Sequence, residues 1–163
     1  MTLSKPTNVL STMKTIYLSG PITDLTTGQP REGWRNDFLD AETKLLGMGF
    51  NVMNPVDIAL EVDDAFNWLP CPVNDGSEKP TRADYILTCL DRMKAACESD
   101  CLHGVYVIGS VHEALCSHGV RMELLLADIL GVPIYAEGRK DRRVNTVLIP
   151  QVGFEGIKEL LRD

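Results

Sequence analysis

Short apolar runs alternate along the chain with stretches in which apolar residues recur at helical spacing. The apolar runs predict five strands, at 14–19, 50–53, 104–108, 132–135 and 144–149. Helical spacing predicts four helices, which contain 34–45, 81–97, 117–130 and 154–161. Because strands alternate with helices, we expect right-handed crossovers between parallel strands. The predicted fold is α/β: a single doubly wound, five-stranded parallel sheet of the Rossmann-like or flavodoxin-like type, with helices on both faces.

Glycine, proline and asparagine mark the breaks between these elements. The first strand ends at Gly20-Pro21, the second ends at Asn54-Pro55, and Gly131 suits the end of a helix. Asn54 reads either as a turn former before Pro55 or as a ligand contact. The pattern loses its period from Val56 to Pro80, where further prolines and a glycine interrupt the chain. This segment is predicted to be a lid, a binding loop or a poorly ordered surface insertion.

The run Ser117-His118-Gly119-Val120-Arg121-Met122-Glu123 contains a carboxylate in an unusual position. At helical spacing, Glu123 shares a face with Leu126, Ala127 and Leu130. Gly119 lies one turn earlier on that face and leaves room for a small ligand. An acid beside an apolar face, near a helix start and a strand end, is a candidate nucleophile or general acid/base. The alternative is a rim glutamate paired with a neighbouring arginine.

Composition and charge limit the possible partners. The 163 residues, 44% of them hydrophobic, suit one domain, predicted at 14–163 after an N-terminal extension at 1–13. The net charge of −7 argues against a nucleic-acid polymer or an anionic membrane as a partner. No stretch reads as a signal peptide or a membrane span, so we expect a soluble, cytoplasmic protein. Five cysteines without a secretory signal predict reduced thiols, and their spacing predicts no metal site.

Several short motifs occur in an order that resembles a known superfamily. Lys14-Thr15-Ile16-Tyr17, Asp91, the stretch 100–106 and Met122-Glu123-Leu124 resemble the motifs of nucleoside 2-deoxyribosyltransferases. The pattern Ser117-x-Gly119-x-x-x-Glu123 is similar to that of the related 2'-deoxynucleoside 5'-monophosphate N-glycosidases. The opening Tyr-Leu-Ser-Gly-Pro-Ile-Thr resembles small phage and bacterial proteins grouped with this superfamily. The resemblance covers Lys14 to Tyr135.

The resemblance implies a reaction at the anomeric carbon of a (deoxy)nucleoside or its 5'-monophosphate. Glu123 would be the nucleophile, and the base would leave behind a glycosyl ester that water or a second base resolves. Tyr17 would orient the carboxylate, and Asp91 would handle the proton of the departing base. No metal and no organic cofactor is implied. From the residues alone, Tyr17 reads as a core tyrosine with its hydroxyl bonded to the backbone, and Asp91 reads either as this acid or as a solvated surface residue.

One departure from the transferase pattern points to a nucleotide substrate. The transferases carry an aspartate where this chain has Ser117, and in the monophosphate glycosidases a serine there helps to hold the 5'-phosphate. A hydroxyl at a helix start accommodates phosphate, whereas a carboxylate repels it. Ser117 also fits the role of a helix N-cap. The remaining predicted substrate-binding residues are Ser19, Gly20, Pro21, Asn54, Gly119, Arg31 and Arg35.

Three kinds of function remain open at this stage. The first is an N-glycosidase or deoxyribosyltransferase, and the second is a catalytically silent protein that binds a nucleotide or a nucleotide-derived signal. The third is an adaptor that uses the 56–80 segment for protein contact. Convergence of Tyr17, Asp91 and Glu123 on one cavity would favour the enzyme. The resemblance also implies a homo-oligomer with the pocket near the subunit interface.

Overall fold

A computed structural model of the chain describes residues 13–22, 27, 29–68, 80–109, 116–136, 142–144, 147–149 and 153–162. The strands are β1 (Thr15–Ser19), β2 (Asn51–Met53), β3 (Leu102–Val107), β4 (Ile134–Ala136), β5 (Arg142–Val144) and β6 (Val147–Ile149). The helices are α1 (Trp34–Gly47), α2 (Pro55–Trp68), α3 (Arg82–Glu98), α4 (His118–Leu130) and α5 (Gly153–Lys158), and a 3-10 turn (Glu159–Arg162) follows α5. The first four strands form one parallel sheet in the order β2-β1-β3-β4.

The two faces of this sheet carry separate hydrophobic clusters. Alternate residues of a strand point to opposite faces, so Tyr17 and Val105 pack with residues of α3 and α4, whereas Ile16, Leu18 and Tyr106 pack with residues of α1 and α5. Helices therefore cover both faces, and the predicted α/β class with a parallel, Rossmann-like sheet is confirmed. In the described part of the chain, none of the helices has the length and apolar composition that crossing a bilayer requires.

The prediction of a fifth parallel strand at 144–149 is wrong. This region belongs to two short strands, β5 and β6, that pair antiparallel with each other and form a separate two-stranded sheet. Only two residues lie between them in sequence. A connection of that length joins antiparallel neighbours, because a parallel pair needs a crossover of roughly a dozen residues or more.

The prediction of irregular structure from residue 56 onwards is wrong for the first part of that segment. Residues Pro55–Trp68 form α2, whose first helical position is a proline, as the fixed φ angle of proline favours. The Asn54 side chain accepts a hydrogen bond from the backbone N–H of Val56 at 3.0 Å and so caps the helix. Ile58 and Val62, four residues apart on the inner face of α2, are both buried. Residues 69–79 lie outside the described residues.

Helices α3 and α4 are bounded by cap residues that can be recognised in the sequence. Thr81 and Asp84 form a reciprocal capping box at the start of α3. The Ser117 hydroxyl accepts a hydrogen bond from the backbone N–H of Val120 at 3.4 Å and caps α4. Gly131 ends α4 in the left-handed region at φ 72°, which glycine adopts without steric cost.

Gly104 in β3 provides a direct test of the packing on one face of the sheet. A Cβ atom at this position would lie 2.9 Å from Cε2 of Tyr135 and 3.1 Å from Cδ1 of Ile16. We expect Gly104→Ala to lower the free energy of unfolding by about 1–3 kcal/mol, because overpacking forces the neighbouring side chains to shift. Gly47→Ala is the control, since a Cβ there meets no atom within 4 Å. Equal denaturant midpoints for the two variants would contradict this packing.

Candidate functional site

A cavity of about 450 Å³ opens where β1 and β2 end. Gly20 directly follows β1 and Pro55 lies two residues after β2, and both line the cavity, so it occupies the edge at which open α/β sheets bind ligands. Helices α1, α2, α3 and the start of α4 form its walls. The lining consists of Gly20, Ile22, Pro30, Trp34, Arg35, Phe38, Pro55, Val56, Ala59, Leu60, Asp63, Arg82, Tyr85, Ile86, Cys89, Ser117, Gly119, Val120 and Glu123.

The carboxyl group of Glu123 is the buried acid of this cavity. Helix α4 directs it inward beside Val120 and Leu124, and only 8% of the residue is exposed. Within the described part of the chain, its Oε2 atom has no hydrogen-bond partner. Burial raises the pKa of Glu123 from 4.5 to about 7, because removal from water disfavours the charged form. A carboxyl group in this state is common at catalytic sites and uncommon on protein surfaces.

Two hydroxyl groups of β1 face this carboxyl. Tyr17 and Ser19 lie two residues apart, on the same face of the strand, and both are fully buried. Their interaction with Glu123 lowers its pKa and so partly offsets the effect of burial. Neither hydroxyl completes a hydrogen bond of normal geometry with any described residue. Burial, with the Glu123 carboxyl next in importance, raises the pKa of Tyr17 well above its ordinary value, so the phenol stays protonated.

Cys89 of α3 completes this group of polar side chains. It is buried, lines the cavity and interacts with both Tyr17 and Glu123. Burial is the main reason that the pKa of its thiol rises to about 11, so the group remains a thiol at neutral pH and is a poor nucleophile. Among the described residues, no group of three or more histidine, cysteine or acidic side chains is placed to hold a metal ion.

Two glycines predicted for the site line the cavity, in different steric situations. A Cβ atom on Gly20 would lie 3.0 Å from Cβ of Ile108 and 3.2 Å from Cζ of Phe38, so the chain passes too close for a larger residue without adjustment. A Cβ atom on Gly119 would approach Ile86 and Ser117 no closer than 3.8 Å. The glycine at 119 therefore enlarges the cavity beside Glu123 without being required by packing.

Of the two predicted arginines, only Arg35 lines the cavity. Arg35 is exposed, and its guanidinium lies over the ring of Trp34, 5.1 Å from the ring centre. Arg31 instead forms an ion pair with Asp37 at 2.9 Å and donates to the carbonyl of Pro21 at 3.3 Å. Arg31 thus links the loop after β1, through the carbonyl of Pro21, to Asp37 of α1. Neither Arg31 nor Pro21 lines the cavity.

Asp91 and Asn54 also lie outside the lining. Asp91 is exposed on α3, while Cys89 of the same helix faces the cavity. Asn54 is buried, but its side-chain amide donates to Glu42 at 2.7 Å while its oxygen caps α2. The structure thus brings Tyr17, Ser19 and Glu123 together and leaves Asp91 apart from them.

Sequence reasoning missed several polar and aromatic residues of the cavity, among them Trp34, Asp63, Arg82 and Tyr85. Trp34 is the first residue of the helix that the sequence predicts at 34–45. Asp63 lies in the segment that was predicted to be irregular, although Val56, Ala59, Leu60 and Asp63 follow helical spacing and all line the cavity. Recognition of α2 from this spacing would have revealed the acid.

The raised pKa of Glu123 predicts a pH-dependent cost to stability. The folded chain retains a proton that the unfolded chain releases above about pH 4.5, so the stability contributed by this group falls as the pH rises from about 4.5 to about 7. Glu123→Gln removes this titration. The quantity to follow is the free energy of unfolding of Glu123→Gln minus that of the unmodified protein. We expect this difference to increase by about 3 kcal/mol between about pH 4.5 and about pH 7 and then to level off.

Urea unfolding of both proteins at several pH values measures this difference. Asp128→Asn, on the exposed side of the same helix, is the control for replacing an acid by its amide. A difference for Glu123→Gln that does not change with pH would mean that the carboxyl is solvated.

No protein-family model matches the chain, and no curated protein matches it in sequence. The superfamily resemblance therefore depends only on the short motifs around Tyr17, Asp91, the 100–106 stretch and Glu123. The function has to be inferred from the cavity and from the chemistry of its residues.

Proposed function

We propose that the protein cleaves the N-glycosidic bond of a (deoxy)nucleoside, preferably its 5'-monophosphate, or transfers its deoxyribosyl group. Glu123 is the nucleophile, and a glycosyl ester on its side chain is the intermediate. The observation that carries the proposal is the Glu123 carboxyl, buried in the wall of a cavity of about 450 Å³ with one oxygen unpaired and two hydroxyl groups beside it.

The chemistry requires a carboxylate at this position. The anomeric carbon becomes positively charged as the bond to the base breaks, and a nearby carboxylate in a site shielded from water stabilises that charge. The unpaired oxygen of Glu123 attacks the anomeric carbon, the bond to the base breaks, and the base takes the bonding electrons and a proton from water. Water or a second base then attacks the anomeric carbon of the ester and regenerates the carboxylate. Tyr17 and Ser19 lower the pKa of Glu123 and so favour the charged form that attacks.

The cavity also suits a nucleotide in size and in charge. Its volume falls within the range of small-molecule sites. Trp34 and Phe38 provide aromatic surface for a base or sugar, and Arg35 and Arg82 provide cations at exposed positions of the lining. The N-terminus of α4, with the Ser117 hydroxyl, favours a phosphate group.

The same proposal places the protein in the cytoplasm. It also takes the protein to be a homo-oligomer in which the pocket lies near the subunit interface and is completed by a neighbouring subunit. Helix α4, which carries Glu123, exposes Met122, Leu125 and Ile129 on its outer side, and Ile129 is 72% exposed. Apolar side chains that cluster on one exposed helix face are typical of protein contact surfaces.

A second candidate function is nucleotide binding without turnover. The exposed position of Asp91 favours it, because the base then lacks the acid that the resemblance implies for its departure. Release of free base separates the two functions, since a binding protein leaves the nucleotide intact.

We expect the protein to release free base from a panel of nucleoside 5'-monophosphates, measured by chromatography. Glu123→Gln should slow release by at least about a thousandfold, because the amide cannot form the ester intermediate. Acid quenching should trap a pentosyl or pentosyl phosphate adduct on the unmodified protein, detected as an added mass on the peptide that contains residue 123.

Asp128→Asn is the matched control, since Asp128 lies on the same helix and faces solvent. It should retain the rate of the unmodified protein. Equal release by Glu123→Gln and the unmodified protein would refute the assigned nucleophile, and intact nucleotides after prolonged incubation would leave binding as the function.

Tyr17→Phe is expected to shift the pH dependence of kcat/KM. The nucleophile reacts as the carboxylate, so the rate should rise with pH through the pKa of Glu123, about 7. Because the Tyr17 hydroxyl lowers that pKa, its removal should move the rise to higher pH. Tyr135→Phe is the control, since Tyr135 packs on the opposite face of the sheet. An unchanged profile for Tyr17→Phe would exclude this role of the hydroxyl.

A further inference from the structure

Asp63 of α2 and Tyr85 of α3 form a polar pair in the wall of the cavity. The Tyr85 hydroxyl donates a hydrogen bond to Oδ1 of Asp63 at 2.5 Å, and both residues are partly buried. They line the same cavity as Glu123. The glycosyl transfer proposed for Glu123 uses neither of them.

The pair presents hydrogen-bond acceptors to the cavity. The Asp63 carboxylate raises the pKa of Tyr85 to about 12, so the phenol keeps its proton at neutral pH and its only donor is directed at Oδ1. Within the described part of the chain, no lysine, arginine or histidine forms an ion pair with Asp63. The hydrogen bond that Asp63 accepts from Tyr85 occupies Oδ1, so Oδ2 is the carboxylate oxygen that we assign to a ligand donor.

The position of the pair relative to Glu123 follows from α3. Cys89, which interacts with Glu123, lies four residues after Tyr85, so both side chains project from the same face of the helix, about 6 Å apart along its axis. Tyr85 of the pair and Cys89, which interacts with Glu123, thus line the same cavity from successive turns of α3. A base whose sugar lies at Glu123 can therefore extend within this cavity toward the pair.

We propose that Asp63, oriented by Tyr85, determines specificity by selecting nucleotides whose base carries an exocyclic amino group. This inference rests on the proposed function, because it takes the ligand to be a nucleotide with its sugar at Glu123. An amino group donates to Oδ2 of Asp63. A carbonyl oxygen in the same place would face the carboxylate oxygen, and two acceptors would remain without a donor.

The test uses two pairs of ligands that differ in one substituent. Deoxycytidine and deoxyuridine 5'-monophosphates form one pair, and deoxyadenosine and deoxyinosine 5'-monophosphates form the other. Dissociation constants for the folded, full-length chain are measured by calorimetry, with Glu123→Gln as background if turnover interferes. We expect the amino member of each pair to bind more tightly by about tenfold or more.

Three variants sharpen the result. Asp63→Asn should abolish or reverse the preference, because the new amide can donate to a carbonyl oxygen. Tyr85→Phe keeps the carboxylate but removes its orienting donor, so it should reduce the preference without reversing it. Asp64→Asn is the control, since Asp64 is the exposed neighbour of Asp63 and does not line the cavity.

The outcomes separate this inference from the proposed function. Base release with equal affinity for both members of each pair, or an amino preference that survives in Asp63→Asn, overturns the inference and leaves glycosidic cleavage standing. An amino preference without any base release supports the inference and overturns cleavage. Absence of binding by all four nucleotides overturns both.

Discussion

The burial of one carboxyl group, that of Glu123, is the constraint on which the site depends. Placing an acid among apolar side chains costs stability unless it is neutral or partnered, and one oxygen of this group has no partner among the described residues. Burial disfavours the charged carboxylate and so raises the pKa of Glu123 to about 7. The hydroxyl groups of Tyr17 and Ser19 offset part of it. An unsatisfied buried acid at a cavity wall is typical of sites where a ligand completes the interactions.

Strand β1 links the site to the stability of the fold. Ile16 and Leu18 point to one face of the sheet and pack under α1, while Tyr17 and Ser19 point to the other face, toward Glu123. A shift of one residue in the pairing of β1 would exchange these two sets. The buried side chains on the α1 face therefore fix the register that places the hydroxyl groups beside the carboxyl.

Local signals predicted most of the central sheet and part of the site. Cap residues such as Ser117 and the spacing around Glu123 act within one helix, so they can be read from sequence. The antiparallel pairing of β5 with β6 was missed because one apolar run was read as a single strand. Asp63 was missed because prolines after α2 concealed the helix. The position of Asp91 depends on which face of α3 packs inward, and the tertiary contacts of Cys89 and Met93 decide that.

The most direct test of this account is the pKa of Glu123 in the folded protein. Titration by carbon NMR, with the side-chain carboxyl of glutamate labelled and Glu123→Gln used to assign the resonance, measures it without reference to any activity. The account predicts a midpoint near 7. A midpoint close to 4.5, the ordinary value for glutamate, would show a solvated carboxyl and contradict the buried site at the centre of the proposed function.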